Sequence, residues 1–203
     1  MSCAHPICRR PHKGVGVVIL DPSHGTVLLG KERFGRYKGR FNICAGSMEK
    51  EDGGCVVRAA LRELMEEFKM TIGSAEWQRH FVRKDGSPRL VFLGTTPVVV
   101  GLFDSQALED TYISTLMRHH VQVEGMQPTW QEMEEARWVS IQDVRPHAAL
   151  PTSRFAQAVM RLPALRALDQ MAAKRNYFVP VESNCTRGPS SPITCKPKVS
   201  LQA

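Results

Sequence analysis

The sequence predicts an α/β or α+β sandwich around a mixed β-sheet. Short runs rich in Val and Ile, bounded by Gly and Pro, alternate with stretches of helical period. The alternation has no regular βαβ rhythm, so a purely parallel sheet is not expected. The 203 residues suit one ordinary domain with extensions. A domain of that size buries ~70% of its unfolded surface, so it needs no disulfide framework.

Residues 1–13 carry Pro and His without an apolar period and read as an irregular N-terminal arm. Gly14 to Leu20 is a buried-strand candidate. Asp21-Pro22-Ser23-His24-Gly25 is a turn, and Val27 to Arg33 is the returning strand of a hairpin. A basic loop, residues 34–40, leads to a short strand, Phe41 to Ala45, and then to a polar loop, residues 46–54. Residues 55–70 have helical period. Trp77 to Lys84 and Arg89 to Phe103 read as strands joined by the turn Asp85-Gly86-Ser87-Pro88, with Thr96-Pro97 interrupting or bending the second. A helix started by Ser105 is expected to about residue 121, and a last strand from Ala136 to Ile141. Residues 152–175 form a helix that Pro163 kinks or divides. The expected domain is 14–178, and 179–203, poor in apolar residues, is expected to be disordered.

No apolar run reaches the ~18 residues of a spanning helix, so no membrane partner is expected. The N-terminus has neither an apolar signal segment nor a myristoylation glycine. The six cysteines therefore read as free thiols in a reducing compartment, cytoplasmic with the nucleus as alternative. The net charge of +7 favours anionic partners: phosphates, nucleotides or nucleic acid. Residues 1–40 concentrate it, with eight Lys/Arg against two acids.

The segment Cys55 to Met70 carries the most chemistry. At ~100° per residue, Val57, Leu61, Leu64 and Phe68 fall within a ~60° sector, the expected core face. Glu63, Glu66 and Glu67 fall within a ~100° sector on the far side. Three carboxylates on one arc repel, and a hard divalent cation such as Mg²⁺ relieves that repulsion through oxygen ligands. A plain acidic solvent face explains the same pattern, because exposed like charges at i,i+4 cost only about 0.2–0.5 kcal/mol.

Arg62-Glu63-Leu64-Met65-Glu66-Glu67 resembles the R-E-U-x-E-E core of the Nudix box, the signature of Nudix hydrolases. The preceding Cys44-Ala45-Gly46-Ser47 and the downstream acidic segment with Glu132 before Trp138 are similar to the family's flanks, over about residues 14–145. The resemblance implies a Nudix-type α/β/α sandwich around a mixed β-sheet. It implies a Mg²⁺- or Mn²⁺-dependent hydrolase cleaving a diphosphate bond in a nucleoside diphosphate linked to X. The implied metal ligands are Glu63, Glu66, Glu67, Glu132 and the Gly46 carbonyl. The implied catalytic set is Glu63 and Glu132, with Arg62 orienting a carboxylate. The box departs from the family's at its loop end. Met48 and Gly54 stand where the box has Gly and Glu, and Lys69 where it has a final Gly. Glu51 or Asp52 is the candidate replacement for the missing Glu. Messenger RNA decapping and a non-catalytic nucleotide- or RNA-binding module are the alternative functions.

Arg33, Arg36, Lys38 and Arg40, with Phe34 and Tyr37 between them, are candidates for binding substrate phosphates or RNA; a solvated loop is the plain alternative. Cys3, His5, Cys8 and His12 are zinc-ligand types at loose spacing, and a simple arm is expected instead. His119-His120 read as a surface helix end, Cys44 and Cys55 as small buried thiols. Trp130 and Trp138 could stack on a base, though Trp138 in a strand reads as core.

Overall fold

The computed structural model describes residues 8, 10–105 and 133–165. Among the described residues seven strands form one mixed sheet: β1 (Gly14–Asp21), β2 (Thr26–Glu32), β3 (Phe41–Asn42), β4 (Cys44–Ser47), β5 (Leu90–Leu93), β6 (Thr96–Leu102) and β7 (Met133–Ser140). The main order is β3-β2-β1-β6-β5, with β4 on β1 and β7 on β2. β1 and β6 run parallel, and the other pairs antiparallel. The β1–β2 hairpin closes over only two rungs, Leu20↔Val27 and Asp21↔Thr26. The strands then part, β1 to β4 and β6, β2 to β7 and β3. That divergence makes a layered sheet of the expected hairpin.

Among the described residues α1 (Val56–Phe68), α2 (Ser74–Phe81) and α3 (Arg154–Met160) cover the sheet. Strand side chains alternate between faces. Val15, Val17 and Ile19 pack with Leu64 and Phe68 of α1 and Trp77 and Phe81 of α2. Val18 and Leu20 pack with Ala156, Val159 and Met160 of α3. The result is the expected α/β/α sandwich.

Four local expectations need correction. Residues 74–81 are helix, not strand. Gly73 starts the helix, its N–H bonded to the Glu76 carboxylate at 2.8 Å. Trp77 and Phe81, four residues apart, stack on one helical face with ring centroids 4.8 Å apart. The turn at Asp85–Pro88 is real, with Arg83 N–H bonded to Ser87 O at 2.8 Å, but it links a helix to a strand. Arg89 to Phe103 is two strands rather than one. The break falls at Gly94, whose φ of 60° turns the chain, and Pro97 lies inside β6 opposite Phe92. Phe41 to Ala45 divides into two strands with different partners, β2 for β3 and β1 for β4.

Helix α3 ends before Pro163, and helix resumes at 163, so the expected division occurs. Its Ser153 cap accepts the Ala156 N–H at 2.9 Å. Asp21 is buried at the end of β1. It accepts the Ser105 and Ser23 N–H groups and pairs with His24 Nδ1 at 2.6 Å. Burial alone would raise its pKa, but these bonds from Ser105, Ser23 and His24 outweigh it and hold the carboxylate well below its ordinary range. Among the described residues no helix is long and apolar enough to cross a membrane. The 105–121 helix beyond its first residue, His119-His120, Trp130, Glu132, Cys3, His5 and the 179–203 tail lie outside the described residues.

Candidate functional site

Helix α1 does not face the way its Leu spacing suggests. Its buried residues are Val56, Ala59, Ala60, Glu63, Leu64, Glu67 and Phe68. Val57 and Leu61 sit at the margin of that face. The two small residues Ala59 and Ala60 face inward, so the helix packs about a quarter-turn away from the expected axis. The far-side placement of the acids is thereby overturned. Glu63 and Glu67 are 4% and 3% exposed and face β4, and only Glu66 of the three is open to solvent.

Glycine at β4 makes this packing feasible. A Cβ on Gly46 would collide with the Glu63 carboxylate. The bare backbone lets the carboxylate lie directly on the strand. Glu67 is held from the same strand, its Oε2 accepting the Ala45 N–H at 3.0 Å. Burial, then the charge of Glu63, push the Glu67 carboxyl up to about 9; bonds from Cys44 and Ala45 oppose this, and the charge of Glu32 adds to it. Gly46→Ala is therefore expected to displace the Glu63 carboxylate at little cost in Tm. Because the side-chain end can swing away, the loss should appear as about tenfold or more in divalent-ion affinity. Titration calorimetry with Mn²⁺ checks it, and unchanged affinity would count against Glu63 as a ligand.

Arg62 organises the acids. Its Nη1 lies 2.8 Å from both Glu63 Oε1 and Glu66 Oε2, and its Nη2 donates to Ser47 O at 2.7 Å. Its Nε and Nη2 grip the two oxygens of Asp52 at 3.2 and 3.0 Å. Asp52, 3% exposed, also accepts the Glu49 N–H at 2.8 Å. Between the two candidates left open for the missing box acid, Asp52 is the buried partner of Arg62, while Glu51 is exposed. The helix ends at Lys69, whose φ is 54°. That left-handed geometry suits the glycine the box has there, and Lys69 adopts it with its Nζ bonded to Glu66 O at 2.6 Å.

A second polar chain adjoins the first. Asn42 Nδ2 donates to Glu32 Oε1 at 2.7 Å, and Ser153 Oγ donates to Asn42 Oδ1 at 2.6 Å. Sequence reasoning missed Glu32, Asn42 and Ser153. Their only signal was a polar residue at each strand or helix edge, and the contacts join residues up to 111 apart.

The basic loop is pinned to Glu32 at both ends. Glu32 N–H donates to Arg40 O at 3.0 Å, and Gly39 N–H donates to Glu32 O at 2.7 Å. Arg33 lies over the Phe34 ring and Arg36 over the Tyr37 ring. Lys38 is exposed. Trp138 packs partly buried against the α1-side core, and its buried Nε1 has no hydrogen-bond partner among the described residues. Cys44 and Cys55 are buried and form no disulfide among the described residues. Cys8 packs on the α1-side core, whereas His12 Nδ1 contacts Thr95 O at 3.4 Å.

Among the described residues no three His, Cys, Asp or Glu side chains form a ready-made metal cage. Arg62 occupies the cationic position between Glu63 and Glu66. The donor set still suits a hard ion: its candidate donors are all oxygens, and the buried Glu67 carboxyl sits against the negative charge of Glu63.

The NUDIX domain family model matches residues 10–160, which takes in all seven strands and the Arg62–Glu67 helix. The chain belongs to the NUDIX domain family. No curated protein matches it in sequence. Solved NUDIX structures resemble it only distantly. A MutT NUDIX hydrolase from Burkholderia pseudomallei is 16% identical, with 74% of this chain and 96% of that one covered and a TM-score of 0.44. A NUDIX hydrolase from Nitrosomonas europaea is 19% identical, with coverage of 82% and 92% and a TM-score of 0.38. The NUDIX domain of Shewanella oneidensis NrtR, solved with ADP ribose, is 13% identical, with coverage of 81% and 88% and a TM-score of 0.42. In this NUDIX domain the box helix is the one that carries Glu63, Glu66 and Glu67.

Proposed function

We propose that this NUDIX chain is a divalent-metal-dependent hydrolase that cleaves a diphosphate bond in a nucleoside diphosphate linked to a second group. The observation that carries the reading is the buried Glu63–Glu67 pair seated on β4, with Arg62 ordering Glu63 and Glu66. Glu63, Glu66, Glu67 and the Gly46 carbonyl would hold Mg²⁺ or Mn²⁺, with Glu132 as a further ligand or base. The ion would polarise a phosphoryl oxygen and offset the charge that builds on it.

The chain's own residues do the rest. Glu67 would hold the ion as the carboxylate, its proton passing to solvent, because ligation requires the charged form. Arg62 would hold Glu63 toward the strand, from where its carboxylate could take a proton from water. The water oxygen bonds to phosphorus, the bridging P–O bond breaks, and the leaving phosphate departs with the electron pair. Arg33 and Lys38, on the loop fixed at Glu32, would hold the substrate phosphates.

The non-catalytic alternative leaned on Gly54 in place of the box Glu. Asp52 supplies a buried carboxylate to Arg62 instead, which favours the enzyme. The test is a panel with Mg²⁺ and Mn²⁺: nucleoside triphosphates, ADP-ribose, dinucleoside polyphosphates, NADH, diphosphoinositol phosphates and capped RNA. Turnover of at least one diphosphate compound, abolished by chelator, is expected. A panel with no metal-dependent turnover would sink the reading, and turnover of capped RNA alone would select decapping.

A further inference from the structure

The face of the sheet opposite helix α1 carries a second feature that hydrolysis does not use. A cleft of about 700 Å³ is lined by Arg36, Tyr37, Arg40, His147, Arg154 and Arg161 among its walls, and among the described residues no carboxylate lines it. None of the acids around Arg62 borders it. Helix α3, which forms one wall, packs in the apolar cluster with Val18 and Leu20, whereas α1 packs in the one with Val15 and Val17. The cleft and the acidic cluster therefore open from different layers of the fold.

The arginines are placed by rigid elements. Arg154, Gln157, Ala158 and Arg161 recur at i, i+3, i+4 and i+7, so α3 turns one continuous stripe toward the cleft. Arg40 is brought to that stripe by backbone pairing. Phe41 N–H donates to Pro151 O and Ser153 N–H donates to Phe41 O, each at 2.8 Å. Those bonds fix the residue before Phe41 against the residue after Ser153. His147 closes the wall in a left-handed conformation, with φ 62°. A non-glycine residue held at positive φ in a binding wall costs free energy that neighbouring structure must offset.

We propose that this cleft is a binding site for a compact polyphosphate-bearing small molecule, separate from the hydrolytic centre. Four guanidinium groups around one concavity repel one another, and a phosphate cluster removes that repulsion while accepting paired N–H bonds. The size is that of a small-ligand site, for which ~300–1,000 Å³ is usual. A nucleic-acid strand fits less well. Strand grooves need successive open rings for base stacking. Among the described residues Tyr37 is the one aromatic ring of the lining besides His147, and Arg36 already covers it at 5.8 Å.

The probe is inorganic tripolyphosphate, titrated calorimetrically into the full chain in chelator-containing, metal-free buffer. Hydrolysis is silent there, so the result is independent of the proposed enzymatic activity. Saturable binding is expected, weakening with salt. Arg154→Gln with Arg161→Gln should raise the Kd about tenfold or more. Arg79→Gln with Lys84→Gln, which removes the same charge elsewhere, should leave it unchanged. Arg154→Lys with Arg161→Lys should bind with intermediate affinity, which separates lost contacts from lost folding. No saturable binding, equal loss in the Arg79/Lys84 control, or tighter binding of a ~10-nucleotide single-stranded RNA than of tripolyphosphate would each overturn the proposal.

Discussion

Glu66→Gln with Glu67→Gln is expected to lower metal-dependent diphosphate hydrolysis roughly a hundredfold or more, because both changes remove charge from the oxygens proposed to hold the ion. The same double variant should carry a second signature that a merely unfolded protein would not. In the metal-free protein the Glu67 carboxyl has its pKa at about 9, above the ordinary 4.5. The folded state therefore binds more protons than the unfolded state between those values, so stability falls as pH rises from about 4.5 toward 9. Glutamine cannot ionise, so the variant should lose that part of the slope and be the more stable protein at alkaline pH. Thermal denaturation with chelator, from pH 5 to 9, checks it. Full turnover in the double variant would remove the mechanism, and an unaltered slope would remove the buried-carboxyl account of Glu67.

Arg62→Met is expected to cost about 3–5 kcal/mol, because it leaves the buried Asp52 carboxylate without its ionic partner. In a protein of this size that is a Tm drop on the order of 10 °C. Asp52→Asn alone should cost less, since the half-buried guanidinium keeps Glu63 and Glu66. In the double variant the two costs should fail to add, as expected for direct partners. Arg62→Lys should fall between, because an ammonium cannot grip both Asp52 oxygens at once. Additive effects in that cycle would show that Asp52 is not the acid that stands in for the box glutamate. Activity should follow the same order, since Glu63 and Glu66 both depend on Arg62 for their orientation.

The NUDIX box was legible through the resemblance of Arg62–Glu67 to the family motif. Helical spacing alone grouped Glu63, Glu66 and Glu67 on one arc. Which side of the helix met the sheet was not legible. Leu61 and Leu64 weigh more in an apolar pattern than Ala59 and Ala60. In the folded chain, close approach to a glycine-bearing strand favoured the small residues and drew the carboxylates inward with them. The Trp77–Lys84 segment was misread for a related reason. Its apolar residues, Trp77, Phe81 and Val82, fit a strand as well as one helical turn, and the Gly73–Glu76 cap and the stacking of Trp77 on Phe81 mark the helix.

By itself the sequence pointed to the family and its sandwich through the resemblance of Arg62–Glu67 to the box, and local spacing grouped the three glutamates. The tertiary structure alone decided that Glu63 and Glu67 are buried, that Asp52 rather than Glu51 holds Arg62, and that Arg40 meets Arg154 across a cleft. Each of those depends on contacts between chain segments far apart in sequence. Such contacts are set by how strands pair and helices pack, and no periodicity within a segment encodes them.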